Sequence, residues 1–148
     1  MELKIIKLDK HHKSSVKKIS KESMPTLTEK FYFRLALMFD NLFDFYVASY
    51  GDNIVGFISI IDTRRDGLVI GNIAVAEKYK RKGIASSLLE TLLSYYKNHK
   101  ITLQVRKSNL VAQNLYAKFG FINVDVIKNH YPTSWRKEKE DGIVMVRK

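Results

Sequence analysis

The sequence predicts a single α+β domain spanning residues 1–148, with elements in the order β-α-α-β-β-β-α-β-α-β-β. Three observations predict it. Residues 43–75 hold three apolar, β-rich runs separated by Gly51-Asp52-Asn53 and by Arg64-Arg65-Asp66-Gly67, which reads as a meander of three antiparallel strands. Between Asn72 and Leu89 the apolar period changes. Leu68 to Val75 is strand-like, whereas Ile84, Leu88, Leu89, Leu92, Leu93 and Tyr96 fall on one face of a helix. A further strand, a short helix ended by Gly120 and two last strands then follow. A chain of 148 residues suits one domain with a sizeable core, and no repeat, low-complexity tract or linker divides it.

Taken in order, Leu3, Ile5 and Leu8 mark a first strand over residues 2–8. Asp9 caps a helix running through Glu22, with Val16 and Ile19 on its apolar side. Met24-Pro25 breaks that helix. Thr26 or Thr28 opens the next, with Phe31, Leu35 and Met38 or Phe39 at helical spacing. Strands follow at 43–50, 54–61 and 68–75. A helix runs from about Gly83 to Asn98, then a strand from Ile101 to Val105. Ser108 or Asn109 caps a shorter helix with Val111, Leu115 and Phe119 inside, and Gly120 ends it. Phe121 to Lys128 and Gly142 to Arg147 are the last strands, and His130 to Asp141 is the one long irregular stretch.

Composition narrows the function. Lysine plus arginine exceed acidic residues by 26 − 15 = 11, which favours anionic partners: nucleic acid, a ribosome, or a phosphate-bearing cofactor. It argues against a polycationic substrate. Lys13, Lys17, Lys18 and Lys21 read as one solvated helix face. The absence of cysteine excludes disulfides, thiolate metal sites and a cysteine nucleophile. No apolar run approaches the ~18 residues a membrane helix needs, and the first ten residues lack a signal core, so a cytoplasmic setting is the expectation. His11, His12, His99 and His130 show no metal-ligand spacing with acidic partners; no metal is expected, and His11 and His12 are expected to be solvated.

The chain is organised around Lys80-Arg81-Lys82-Gly83-Ile84-Ala85-Ser86, where the strand pattern gives way to the helical one. A helix start leaves N–H groups without intrahelical partners and carries the positive end of the macrodipole. Small residues let an anion approach the backbone, and three cations add attraction. The segment is either a cradle for a phosphate or pyrophosphate or an ordinary glycine turn with solvated charges. The motif Lys80-x-x-Gly83-x-Ala85 resembles the (Gln/Arg)-x-x-Gly-x-(Gly/Ala) turn of the GNAT superfamily of N-acetyltransferases, which bind acetyl-coenzyme A. Lysine at the first position departs from that pattern. Asn109-x-x-Ala112-x-x-x-Tyr116-x-x-x-Gly120-Phe121 resembles a later GNAT motif without gaps. Asn129-His130-Tyr131-Pro132-Thr133, followed by Glu140-Asp141-Gly142-x-x-Met145, resembles the Tyr-Tyr-Pro-Thr … Glu-Asp-Ala-x-x-Met pattern of ribosomal-protein-alanine N-acetyltransferases (RimI-like) and, more loosely, of other protein N-terminal acetyltransferases. His130 and Gly142 are departures from it.

The resemblance implies the GNAT fold, an α/β/α sandwich around a mixed, mostly antiparallel sheet. It implies acetyl-CoA as co-substrate, with its pyrophosphate on Lys80, Arg81, Lys82, Gly83, Ile84, Ala85 and Ser86 and its pantetheine arm along the backbone of Ile73, Ala74 and Val75, where amides polarise the thioester, and beside Asn109. Tyr116 would stand near the sulfur; a phenol of pKa near ~10 can give a proton to a departing thiolate. Alternatively Asn109 only caps a helix and Tyr116 only packs on the sheet. Met24, Pro25 and Leu27 either flank the acceptor or close a core; His130 and Tyr131 would hold the acceptor, and Trp135 either packs on it or covers the hairpin. Where relatives read Leu-Glu-Val-Arg, with the glutamate as general base, this chain has Leu103-Gln104-Val105-Arg106. Gln104 cannot take a proton at neutral pH, though it can orient a water or the amine; otherwise it only bonds a neighbouring strand. A proton relay then falls to Glu77, Glu140 or Asp141. The acceptor implied is a protein N-terminal α-amine of the ribosomal-protein-alanine type; a small-molecule amine, a lysine side chain, or a ribosome-associated acetyl-CoA-binding module with little catalysis are the alternatives. A monomer or a homodimer fits equally.

Overall fold

The computed structural model describes residues 1–24, 27–38, 43–131 and 139–148. Its strands are β1 (Leu3–Lys7), β2 (Asp44–Tyr50), β3 (Asn53–Asp62), β4 (Leu68–Val75), β5 (Ile101–Arg106), β6 (Ile122–Tyr131) and β7 (Glu140–Arg147). Its helices are α1 (Lys13–Ser23), α2 (Leu27–Met38), α3 (Ile84–Tyr95) and α4 (Leu110–Lys118). The strands form one sheet in the order β1-β2-β3-β4-β5-β7-β6. Neighbours pair antiparallel except β4 with β5, which run parallel because α3 returns the chain to the same end. This is the α+β, GNAT-type architecture that the sequence and its resemblance predict.

Two apolar cores lie on opposite faces of the sheet. On one face Ile84, Leu88, Leu89, Leu92 and Leu93 of α3 and Tyr116 of α4 pack against inward residues of β3, β4, β5 and β7. On the other, Val16 and Ile19 of α1 and Phe33 and Leu37 of α2 pack against Phe45, Val47, Ile54 and Phe57. Leu88, Leu89 and Leu92 are fully buried, so this stripe alone contributes roughly 1.5–3 kcal/mol per leucine.

The structure corrects several expectations. Asp9 caps a 3-10 turn, Lys10–His12, rather than α1 itself, and His12 closes a capping box: its Nδ1 accepts the Asp9 N–H at 3.0 Å. His12 is therefore buried, not solvated, and burial with the neighbouring His11 lowers its pKa against the pull of Asp9. In α2 the described core positions are Phe33 and Leu37, and Met38 is exposed; Thr26 and Phe39 and the side chains of Thr28, Phe31 and Leu35 lie outside what is described. α3 ends at Tyr95, before Asn98, with Tyr96 as its cap. Val111 is exposed instead of inside: the α4 face against the sheet runs through Ala112, Leu115, Tyr116 and Phe119. β6 continues to Tyr131, so the irregular stretch starts later than expected.

Candidate active site

β4 and β5 pair only from Leu68–Ile101 to Ile70–Leu103. Beyond that point the β4–β5 pairing stops, and next to it β4 carries a bulge against β3. Ser59 pairs with Asn72 but Ile60 pairs with Ile70, leaving Gly71 as the extra residue. A side chain there would meet the Ser59 hydroxyl at 2.9 Å, the atom that accepts the Asn72 N–H at 3.0 Å. One extra residue reverses the faces of a strand. Leu68 and Ile70, and then Ile73 and Val75, pack toward α3, whereas Ala74 packs toward α1 and α2.

The gap opens into a cavity of about 700 Å³. Its walls come from both faces of the sheet. Asn109, Ala112 and Tyr116 of α4 line one end; Ser23, Met24, Glu29, Phe33 and Ala36, from the ends of α1 and along α2, line the other. Asn72, Ile73, Ala74, Gln104 and Arg106 form the passage between them, and Tyr131 of β6 stands at its side.

Each polar wall residue is held by its element. Asn109 caps α4, its Oδ1 accepting the Ala112 N–H at 3.2 Å. Gln113 Nε2 donates to the carbonyls of Arg106 and Lys107 at 3.0 and 2.9 Å, tying α4 to the end of β5. Tyr116 is buried edge-on against Phe121, with ring centroids 5.7 Å apart. Burial, with a smaller contribution from the Tyr131 phenol, pushes its pKa well above the ordinary tyrosine value, so the group is a proton or hydrogen-bond donor throughout the neutral range.

Strand alternation puts Gln104 and Arg106 on the face opposite the buried Leu103 and Val105. Arg106 reaches α2 and β7 at once: its guanidinium pairs with Glu29 and, at 3.2 Å, with Glu140, and stacks 4.7 Å from the centroid of Tyr131. Glu140 also accepts the Ser108 N–H at 2.7 Å. Desolvation opposes its charge, but the Ser108 bonds and Arg106 prevail and hold its carboxyl below the usual range.

The second feature is the turn before α3. Arg81 and Gly83 both take left-handed backbone angles, φ 63° and 78°, and Gly83 caps the helix. Ser87 returns its N–H and hydroxyl to the Gly83 carbonyl at 3.0 and 3.1 Å, so the N–H groups ahead of it face outward at the positive end of α3. Nothing lies within 4 Å of where a Gly83 side chain would be. Lys80 pairs with Glu77 at 2.8 Å, and Lys82 lies 5.4 Å from the Tyr79 centroid. The turn before α3 is thus open to an anion, and the cavity at the β4–β5 gap is lined from both faces of the sheet.

Residues 12–121 match the acetyltransferase (GNAT) family. The chain belongs to that family. It is 36% identical over 119 residues to an N-alpha-acetyltransferase of Saccharolobus solfataricus, covering 70% of this chain and 68% of that protein. It is 34% identical over 97 residues to the [ribosomal protein bS18]-alanine N-acetyltransferase of Haemophilus ducreyi, covering 64% and 66%. The match thus spans about two thirds of these relatives' lengths. The crystal structure of the ribosomal-protein-S18-alanine N-acetyltransferase from Escherichia coli superposes with a TM-score of 0.83 at 24% identity, over 98% of this chain and 92% of that one; this likeness speaks for the fold.

In this acetyltransferase the cavity gathers Met24, Ile73, Ala74, Gln104, Asn109, Tyr116 and Tyr131 from the sequence-predicted site. Lys80 to Ser86 form the separate turn at α3, and Val75 ends β4 beside the passage. His130 is exposed, its ring edge-to-face with Tyr131, and lies off the cavity lining. Pro25, Pro132, Thr133 and Trp135 and the Leu27 side chain lie outside what is described. Of the relay candidates, Glu77 pairs with Lys80, Asp141 accepts from Lys128 at 3.3 Å and from the Asn129 N–H at 3.0 Å, and Glu140 holds Arg106. The carboxylate on the cavity wall is Glu29, which sequence reading missed; the available signal was an arginine alternating with apolar residues on an inner strand. Among the described residues no cluster of acidic and histidine side chains could hold a metal, and no helix is long and apolar enough to cross a membrane.

Proposed function

We propose that the protein transfers the acetyl group of acetyl-CoA to a protein N-terminal α-amine, by direct attack in a ternary complex in the cytoplasm. The observation that carries this reading is the cavity walled from both faces of the sheet: the thioester enters along α4 and the amine along α2, so the two reactants meet in the β4–β5 gap without a covalent enzyme intermediate. The relatives named N-alpha-acetyltransferase and [ribosomal protein bS18]-alanine N-acetyltransferase support the acceptor class. In this reading the amides of Lys80 to Ser86 and the side chains of Lys80, Arg81 and Lys82 hold the pyrophosphate. Asn109 contacts the pantetheine arm, and the backbone of Ile73, Ala74 and Val75 polarises the thioester carbonyl. The amine lone pair attacks the carbonyl carbon, the carbon–sulfur bond breaks, and the sulfur leaves with the bonding electrons. Tyr116 donates to it as charge develops. Met24, His130 and Tyr131 flank the acceptor. Gln104 orients the amine; a free α-amine, with pKa of about 7.7–8.0, is already partly neutral near pH 7 and gives its proton to water.

The test is thiol release from acetyl-CoA with short peptides bearing free N-termini, beside N-blocked lysine peptides and polyamines. Release confined to free N-termini is expected; release with lysine peptides or polyamines alone would overturn the acceptor assignment. Gly83→Val, which places a β-branched side chain at φ 78° in the anion's approach, is expected to raise the KM for acetyl-CoA about 10- to 100-fold, with the acceptor KM within about twofold. Steady-state kinetics with each substrate varied in turn checks this.

A further inference from the structure

The cavity encloses about 700 Å³ and is lined mostly by apolar groups. Beyond Glu29 and Gln104 it continues under α2 to an end walled by Met24, Phe33, Ala36, Phe43 and Ile61. The wall is preformed: the Phe33 ring is buried and lies 5.1 Å from that of Phe57 and 6.1 Å from that of Phe45, which in turn stands 6.3 Å from Phe43. Packed aromatic rings leave little room to collapse on an empty site. The opposite side of the same entrance is polar, made by Arg106, Glu29 and Tyr131. A peptide whose α-amine sits at the β4–β5 gap has two groups to place on its first α-carbon. The continuing backbone carries N–H and C=O groups that need partners or water, and burying them in the apolar end would be costly. It leaves past Arg106 and Tyr131. The first side chain is then directed under α2.

Resting on the proposed transfer to an N-terminal α-amine, we infer that the pocket of Met24, Phe33, Ala36, Phe43 and Ile61 receives the acceptor's first side chain and selects a large apolar one. Methionine, leucine or phenylalanine fills it; alanine, serine or glycine leaves it wet. Apolar pockets discriminate by about 10- to 200-fold per well-buried group, so kcat/KM for Met-, Leu- or Phe-first peptides is expected to exceed that for Ala-, Ser- or Gly-first peptides of otherwise identical sequence by at least about tenfold. Ala36 is the residue through which to test it, because a larger side chain there projects from α2 into the pocket, and leucine suits a helix. Ala36→Leu is expected to collapse the large-to-small ratio to about one. Both rates come from one preparation, so any loss of folded protein cancels in the ratio.

The panel also includes phenethylamine, which has an apolar body but no peptide. A wild-type ratio near one, or a ratio that Ala36→Leu leaves intact, overturns the pocket assignment while N-terminal acetylation stands. Preference for phenethylamine over every peptide overturns it in favour of a small-amine site. Absence of turnover with all the peptides overturns the proposed function and the pocket with it.

Discussion

Replacing Tyr116 with phenylalanine is expected to lower kcat by about 10²- to 10⁴-fold, with the KM for acetyl-CoA within about twofold. The substitution keeps the ring, its contact with Phe121 and its place in the core, and removes one oxygen. An effect on kcat alone therefore reports an interaction made as the carbon–sulfur bond breaks. The structure also fixes the form of the pH dependence. Burial and the Tyr131 phenol both raise the Tyr116 pKa, so the group stays protonated beyond the ordinary tyrosine value near ~10. Thiols titrate near ~8.5; the phenol is the weaker acid and acts by hydrogen-bonding the departing sulfur rather than by surrendering its proton outright. The kcat/KM profile should accordingly rise through the acceptor amine's pKa, about 7.7–8.0 for a free N-terminus, and show no fall from Tyr116 below about pH 10. The variant should trace the same rise at a lower level. A kcat within about threefold of wild type would reduce Tyr116 to a packing residue.

Local signals account for most of what the sequence disclosed. The strand-to-helix switch at Gly83 was legible because period two and period 3.6 are distinct in a row of apolar residues, and the left-handed angle found there is the one glycine tolerates. The α4 motif was legible through its cap and Tyr116. Its register was not: Val111 has the spacing of a core residue, but the helix starts at Leu110, and the face it turns to the sheet begins at Ala112. The Gly71 bulge left no trace in the strand pattern, although it decides which residues of β4 line the cavity. Glu29 and Phe33 were invisible as site residues because their partners lie 77 residues away on Arg106 and on the facing strands β2 and β3 at Phe45 and Phe57. Contacts of that range follow from topology, which local periodicity does not encode. His12 shows the same limit at short range: a capping box converts a polar residue in a lysine-rich stretch into a buried acceptor.

Arg106→Ala is expected to lower folding stability by about 3 kcal/mol at pH 7 and to raise the acceptor KM by about tenfold or more. The guanidinium joins α2 to β7 through β5, and the side chains of Arg106, Glu29 and Glu140 are only 18%, 23% and 20% exposed. That exposure separates this network from surface pairs such as Lys80–Glu77, worth at most about 1 kcal/mol. Removing the cation takes away the charge that holds both Glu29 on the cavity wall and Glu140 of β7, and the group against which the Tyr131 ring stacks. The acid dependence gives an internal check. Glu140 is held below its ordinary value, by Ser108 and Arg106 against desolvation. A depressed carboxyl contributes stability that is full above the unfolded value, near ~4.3, and is lost as pH falls through the folded one. Arg106 supplies part of that depression, after the Ser108 bonds, so the gap between wild type and variant should be full above the unfolded value and narrow as pH falls through the lower folded one. Urea midpoints measured at pH 7 and at about pH 3, below the unfolded carboxyl value, read this, provided the slopes agree. A gap of the same size at both pH values would mean that Arg106 acts through the packing of its alkyl chain. Lysine at this position should recover only part of the loss, because a single ammonium cannot hold two carboxylates in the geometry of the guanidinium fork. Acceptor KM should track the same order, wild type lowest and alanine highest, since the bridge that stabilises the fold also ties α2 to β7 beside the route proposed for the acceptor.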